Sequence, residues 1–173
     1  VPNLPTSLEI KTSLISYFRF KRQWICAPEV SFDWGLADIL IDTGTEIREV
    51  EVKISKSDLY NGEAKKDKHR RGVKCNRFYV CVPSYLVEEA IKWVEQTEKN
   101  YGVIEYQSYL NLVIRRSAKP LNRQYYPEIR KKIEMRLSSM VYDFMNRKAR
   151  ALRHDAKVPI VRTDTLLQGV EAD

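Results

Sequence analysis

Apolar and polar positions alternate with a period of two along residues 35–42 and 47–54, and this alternation organises the middle of the chain. Ile39 and Ile41 alternate with Asp38, Leu40 and Asp42, and Val50, Val52 and Ile54 alternate with Glu49, Glu51 and Lys53. That is the pattern of half-buried strands. A further strand is expected over 24–31. Residues 76–83 are nearly continuously apolar, which predicts a strand at the centre of the sheet, and 102–106 with 109–114 reads as a closing hairpin at its edge. Helical spacing appears in Leu8, Leu14, Ile15 and Phe18, preceded by Thr6-Ser7-Leu8-Glu9, the pattern of a capping box. It appears again in Leu86, Val87, Ala90, Ile91 and Val94. A helix over 55–68 is expected to be interrupted near Asn61-Gly62 and stopped at Gly72. A last helix starts at Pro127 and runs to about residue 150. Ile129, Ile133, Leu137, Met140, Val141 and Phe144 stripe one side of it, as a core contact or a homodimer interface would require.

These elements predict an α/β fold: an αβββαβ core with a mixed central sheet flanked by helices, followed by a long basic C-terminal helix. The expected divisions are a core over 1–117, a basic linker and helix packed on it over 118–153, and a mobile tail over 154–173.

The loop between the two alternating strands sets their register. Thr43-Gly44-Thr45-Glu46 suits a hairpin connection of about four residues. A symmetric loop places Asp42 opposite Ile47 and, counting back, Asp38 opposite Glu51. In regular strands, opposed residues share a face, and so do residues two apart. Asp38, Glu51 and Lys53 are therefore expected together on one face, with Ile39, Ile41, Val50, Val52 and Ile54 forming the core on the other. Glu49 falls on the acidic face as a rim carboxylate. Two opposed carboxylates repel, and a divalent cation removes that cost. Mg²⁺ takes oxygen ligands from one or two carboxylates, water and phosphate. Asp38 and Glu51 are its candidate ligands, the backbone carbonyl of Val52 is a further one, and Lys53 is placed to offset charge on a phosphate.

Charge adds a partner. The chain has 173 residues and a formal net charge of +7. Lys and Arg balance Asp and Glu at 16 each up to Tyr106, but outnumber them 12 to 3 between Gln107 and Arg153. Arg130, Lys131 and Lys132 belong to that basic stretch, which suits a polyanion such as DNA. A second cluster, Lys65, Lys66, Lys68, His69, Arg70 and Arg71, follows the strand bearing Lys53 and is a candidate for holding a DNA backbone or positioning water. Tyr125 and Tyr126 can be read as base-stacking or as packing residues. The three cysteines, Cys26, Cys75 and Cys81, lack C-x-x-C spacing, against a disulfide framework or a zinc site. No apolar run approaches the roughly 18 residues of a membrane span, and no signal-peptide pattern opens the chain. A soluble, cytoplasmic protein is expected.

Asp38 followed by Glu51-x-Lys53 resembles the core of the PD-(D/E)xK nuclease superfamily. The order of the flanking segments, Trp24 to Val30, Ser55 to Leu59 and Asn76 to Pro83, is similar to a bacterial DNA-repair-associated branch of it, alike in plan to Holliday junction resolvases. Ala37 stands where the superfamily's name has proline. The resemblance spans roughly residues 8–117 and implies a restriction-endonuclease-like core, Mg²⁺ or Mn²⁺ dependence and DNA as substrate. It also implies a glutamate joining the metal from the first helix. Glu9 is that candidate, although its position equally explains it as a helix cap, and Glu29 is another. The expected activity is metal-dependent endodeoxyribonucleolytic cleavage in repair, recombination or mobile-element biology. The alternatives are a restriction-type enzyme and a DNA-binding module that does not cut.

Overall fold

The computed structural model describes residues 4–32, 35–61, 75–97 and 100–155. The chain forms an α/β fold in the order α1 (Ser7–Ser16), a π-helical turn (Tyr17–Lys21), β1 (Ile25–Phe32), β2 (Gly35–Asp42), β3 (Ile47–Val52), α2 (Lys56–Asn61) and β4 (Arg77–Pro83). A 3₁₀ turn (Ser84–Leu86), α3 (Val87–Gln96), β5 (Gly102–Ser108), β6 (Asn111–Arg116) and α4 (Pro127–Asp155) follow. The six strands form one sheet in the order β1-β2-β3-β4-β5-β6. β1, β2 and β3 are successive antiparallel neighbours, β4 and β5 run parallel to β3, and β6 closes the edge as an antiparallel hairpin. β4 is interior, as its apolar run requires.

The start of α1 and the β2–β3 turn follow from local chemistry. The predicted capping box is present: Glu9 N–H donates to Thr6 Oγ1 at 3.2 Å, and Thr6 N–H donates to Glu9 Oε2 at 2.6 Å. The β2–β3 hairpin closes through Thr43 N–H to the Glu46 carbonyl, while Asp42 Oδ1 accepts from Gly44 N–H. Gly44 has a φ of +93°, a conformation glycine adopts without steric cost.

Both faces of the sheet are buried, which corrects the expectation of one apolar and one acidic face. On one side Ile39, Ile41, Val50 and Val52 pack with Cys81 and Ile104 under Ile10 and Leu14 of α1. On the other, Leu40, Ile47, Phe78, Val80 and Val82 pack under Leu59 of α2, Trp93 of α3, and Ile129 and Ile133 of α4. Glu49, expected at the rim, is buried and hydrogen-bonded to Cys75.

One compact unit runs to Leu137 and includes the first part of α4, and a second runs from Ser138. Within the second, the remainder of α4 exposes Met140, Val141 and Phe144, so only the first part of the apolar stripe is core. The expected continuation of α2 and the tail from residue 156 lie outside the described residues.

Candidate active site

Asp38 and Glu51 stand one residue beyond the last paired positions of the β2–β3 ladder. The register is the one read from the loop, Asp42 opposite Ile47 through Ile39 opposite Val50. One step on, Asp38 and Glu51 face each other, but their side chains do not rise together from one face. Asp38 Oδ2 accepts a hydrogen bond from Val52 N–H at 2.9 Å, so its carboxylate lies against the Glu51–Val52 peptide.

The cause is a break in the alternation of β1 and β2. Ala27 and Val30, three residues apart, enter the same core cluster, and so do Ala37 and Leu40. Between them Glu29 adopts a φ of +53°. The side-chain order of both strands inverts at the facing positions Glu29 and Asp38. Left-handed backbone in a non-glycine residue is uncommon, and where it occurs in a structured site it marks local over-determination.

Lysines hold both carboxylates. Lys11 Nζ from α1 is 2.9 Å from Asp38 Oδ1 and 3.6 Å from Glu29 Oε1. Burial of Lys11 works against its charge, but the hydrogen bond and charge of Asp38, with Glu29 adding to them, hold its pKa above the ordinary value. Lys53 Nζ lies 3.5 Å from Glu51 Oε2 and 3.2 Å from Asp58 Oδ1. Its own N–H donates to the Cys81 carbonyl, fixing the end of β3 against β4. Asp58 is set in the first turn of α2, where Ser55 Oγ accepts its N–H at 3.1 Å. Glu51, Lys53 and Asp58 thus form a row at the carboxyl end of β3, beside the carboxyl end of its parallel neighbour β4. In open α/β sheets, crevices at that end are where ligands bind.

Of the two glutamates expected to join Asp38, the structure brings one alongside it. Glu29 shares Lys11 with Asp38 and also faces Arg136 Nη2 of α4 at 3.4 Å. Glu9 is taken up by its cap: hydrogen bonds from the Thr6 backbone and hydroxyl hold its carboxyl below the usual carboxylate range. Two residues apart on a helix, Glu9 and Lys11 point to opposite sides. Among the described residues no group of three or more His, Cys, Asp or Glu side chains is gathered as a metal cluster. The donor chemistry nonetheless suits a hard divalent ion. Asp38 and Glu51 supply carboxylate oxygens from adjacent strands, with side chains 22% and 14% exposed, and the ion would take the charge-balancing place that Lys11 holds at Asp38.

Arg130, read as a phosphate contact, is engaged within the protein. Its guanidinium meets Glu134 at 3.0 Å and the buried carboxylate of Asp42 at 3.4 Å. Tyr125 donates to that same Asp42 oxygen at 3.0 Å, and both Tyr125 and Tyr126 pack against the core. Lys131 is exposed and Lys132 half-buried. Lys65, Lys66, Lys68, His69, Arg70 and Arg71 lie outside the described residues. The three cysteines are free and buried; burial pushes the Cys26 thiol up to about 11 and those of Cys75 and Cys81 up as well, so none is a ready nucleophile.

Two site residues went unassigned in the sequence. Lys11 is flanked by Ile10 and Leu14 on the buried side of α1, where a lysine needs an acid partner. Asp58 completes Ser55-x-x-Asp58, a capping pattern that places a carboxylate at the start of a helix.

No helix among the described residues is long and apolar enough to cross a membrane. No protein-family model matches the chain, and no curated protein matches it. The fold is similar to that of the SPO1766 protein of unknown function from Silicibacter pomeroyi, with a TM-score of 0.59 at 18% identity over 92% of this chain and 99% of that one. At that identity the likeness establishes the fold alone.

Proposed function

We propose that the protein is a metal-dependent endodeoxyribonuclease with a PD-(D/E)xK-type site, acting on DNA in the cytoplasm during repair, recombination or mobile-element biology. The observation that carries this reading is the placement of the Asp38 carboxylate against the Glu51–Val52 peptide, with Lys53 one residue past the end of β3. Asp38 and Glu51 would hold Mg²⁺ or Mn²⁺, with the Val52 carbonyl and Glu29 as candidate further donors. A divalent ion bound there supplies Lewis-acid charge to the scissile phosphate. Lys53, oriented by Glu51 and Asp58, presents a fixed ammonium to the charge that develops on the phosphate oxygens. Lys11 balances Asp38 when no ion is bound.

One observation favours a second reading, a DNA-binding module that does not cut: both carboxylates already have lysine partners. Incubation of the purified protein with branched, single-stranded and duplex DNA in Mg²⁺, Mn²⁺ or EDTA separates the two. Metal-dependent cleavage that disappears in Asp38→Asn and Lys53→Ala supports the nuclease. Binding without cleavage, or cleavage unchanged in both variants, rejects the assignment. Preference for one duplex sequence over DNA shape would identify a restriction-type enzyme.

A further inference from the structure

Lys11 follows the fully buried Ile10 on α1, and its own side chain is only 16% exposed. A lysine so far out of water needs an acid partner. This one has two, Asp38 at 2.9 Å and Glu29 at 3.6 Å. Asp38 is fixed from its other side: Oδ2 accepts the Val52 N–H at 2.9 Å, and Oδ1, the oxygen turned away from that peptide, is the one the ammonium covers. The lysine therefore sits at the oxygen that an ion would take.

Ammonium and ion compete for that oxygen. Mg²⁺ coordinates a carboxylate oxygen at about 2.1 Å, so an ammonium left 2.9 Å from the same atom would stand at most about 5 Å from the ion. Like charges that close repel strongly where water is largely excluded. The carboxylate cannot turn away without giving up the Val52 N–H, and α1 cannot lift without exposing Ile10 and Leu14. The lysine can move, because its ammonium rides on a flexible four-carbon stem. Glu29 offers it a landing place, opposite Asp38 where the side-chain order of β1 and β2 inverts. Glu29 Oε2 faces Arg136 and Oε1 faces Lys11, one oxygen for each cation.

We infer that Lys11 is an internal stand-in for the metal: it holds Asp38 Oδ1 while no ion is bound, and Mg²⁺ or Mn²⁺ binds by displacing it onto Glu29 Oε1. The inference rests on the proposed metal site at Asp38 and Glu51, and deepens it by naming the residue that sets how readily the ion is taken up. It also chooses between the roles open to Glu29, making it the partner of Lys11 and not a donor to the ion. A site that kept its ion permanently would need no cation of its own. With Lys11 the protein stays folded without the ion and loads it only against an internal competitor.

Calorimetric titration of the whole chain with Mn²⁺, without DNA, tests this. Lys11→Met should bind Mn²⁺ at least roughly tenfold tighter than the parent, the scale on which one close charge alters the affinity of a carboxylate for a cation. Lys11→Arg keeps the charge and should show no gain. Glu29→Gln should weaken binding more with Lys11 present than in the Lys11→Met background, whereas loss of a donor would weaken both equally and overturn the proposal. Thermal midpoints give a second reading: Lys11→Met should melt below the parent in EDTA and gain more from Mg²⁺ than the parent does. A Lys11→Met variant that fails to fold even in Mg²⁺ overturns the proposal, because the ion has not replaced the ammonium. Mn²⁺ binding that Asp38→Asn abolishes but Lys11→Met leaves unchanged overturns the role of Lys11 and keeps the nuclease reading. No saturable binding by parent or Lys11→Met takes the ion away from Asp38, and both fail together.

Discussion

Asp38 takes the place of a backbone acceptor for Val52: its Oδ2 receives the Val52 N–H at 2.9 Å just beyond the last paired residues of β2 and β3. The carboxylate therefore serves the fold as well as any ligand. Asp38→Ala leaves the Val52 N–H unpaired and Lys11 without its main acid partner. A loss of about 1–3 kcal/mol is expected, the cost of orphaning a partly buried polar group. Asp38→Asn keeps an acceptor oxygen and should lose less stability while still abolishing metal-dependent cleavage. Urea denaturation midpoints compare the two, and equal midpoints would mean the Val52 hydrogen bond contributes nothing.

Lys53 separates structure from chemistry in the same way. It is nearly buried between Glu51 and Asp58, so Lys53→Met leaves two carboxylates facing a methyl group. About 1–3 kcal/mol of stability should be lost, within the range for removing one partner of a buried charge-assisted contact. Adding Asp58→Asn to that variant removes one of the stranded charges. The double variant should regain part of the lost stability but none of the cleavage. Recovery of cleavage in the double variant would show that Lys53 acts only by neutralising Asp58.

Much of this arrangement was legible in the sequence. The four-residue loop and the alternation around it place Asp42 opposite Ile47, and the Thr6–Glu9 spacing marks the start of α1. The apolar run of β4 locates it inside the sheet. The inversion of faces at Glu29 and Asp38 was not legible, because period-two counting assumes regular strands and nothing at Glu29 signals a left-handed residue as a glycine would. For that reason the sequence placed Asp38 on the right strand position but gave its side chain the wrong orientation. Arg130 shows the same divide. Its partner Glu134 lies one helical turn away and can be read directly, whereas Asp42 is 88 residues distant and meets it only through the packing of α4.

Gly102 provides a test of the β4–β5 packing. It pairs with Tyr79 across the parallel ladder, and a Cβ added there would overlap the Tyr79 ring and come within 2.7 Å of the Ala118 backbone nitrogen. The ring can shift; the backbone at Ala118 is held by the Arg77 guanidinium on its carbonyl at 2.6 Å and by Lys119 N–H on the Asn100 carbonyl at 2.9 Å. Gly102→Ala should cost about 1–3 kcal/mol, as overpacking in a buried contact does. Thermal denaturation that leaves the midpoint unchanged would show that this edge of the sheet yields easily.

Glu46 should make stability depend on pH in the acid range. Hydrogen bonding from Arg77 holds its carboxyl below the ordinary value of 4.5; burial opposes this, and Arg48 adds to the lowering. Because the folded pKa is lower than the unfolded one, the unfolded chain takes up the proton first as pH falls. The stabilising contribution is therefore fully present above the ordinary carboxylate range and is lost as pH drops through the lowered folded value. Glu46→Gln keeps hydrogen-bond acceptance from Arg77 without the charge. Parent and variant should differ in urea-unfolding free energy at about pH 6 and converge at about pH 3, since other acidic groups titrate in both proteins and cancel in the difference. A gap that stays constant over that interval would mean the Arg77–Glu46 contact stabilises the fold through its geometry and not through its charge.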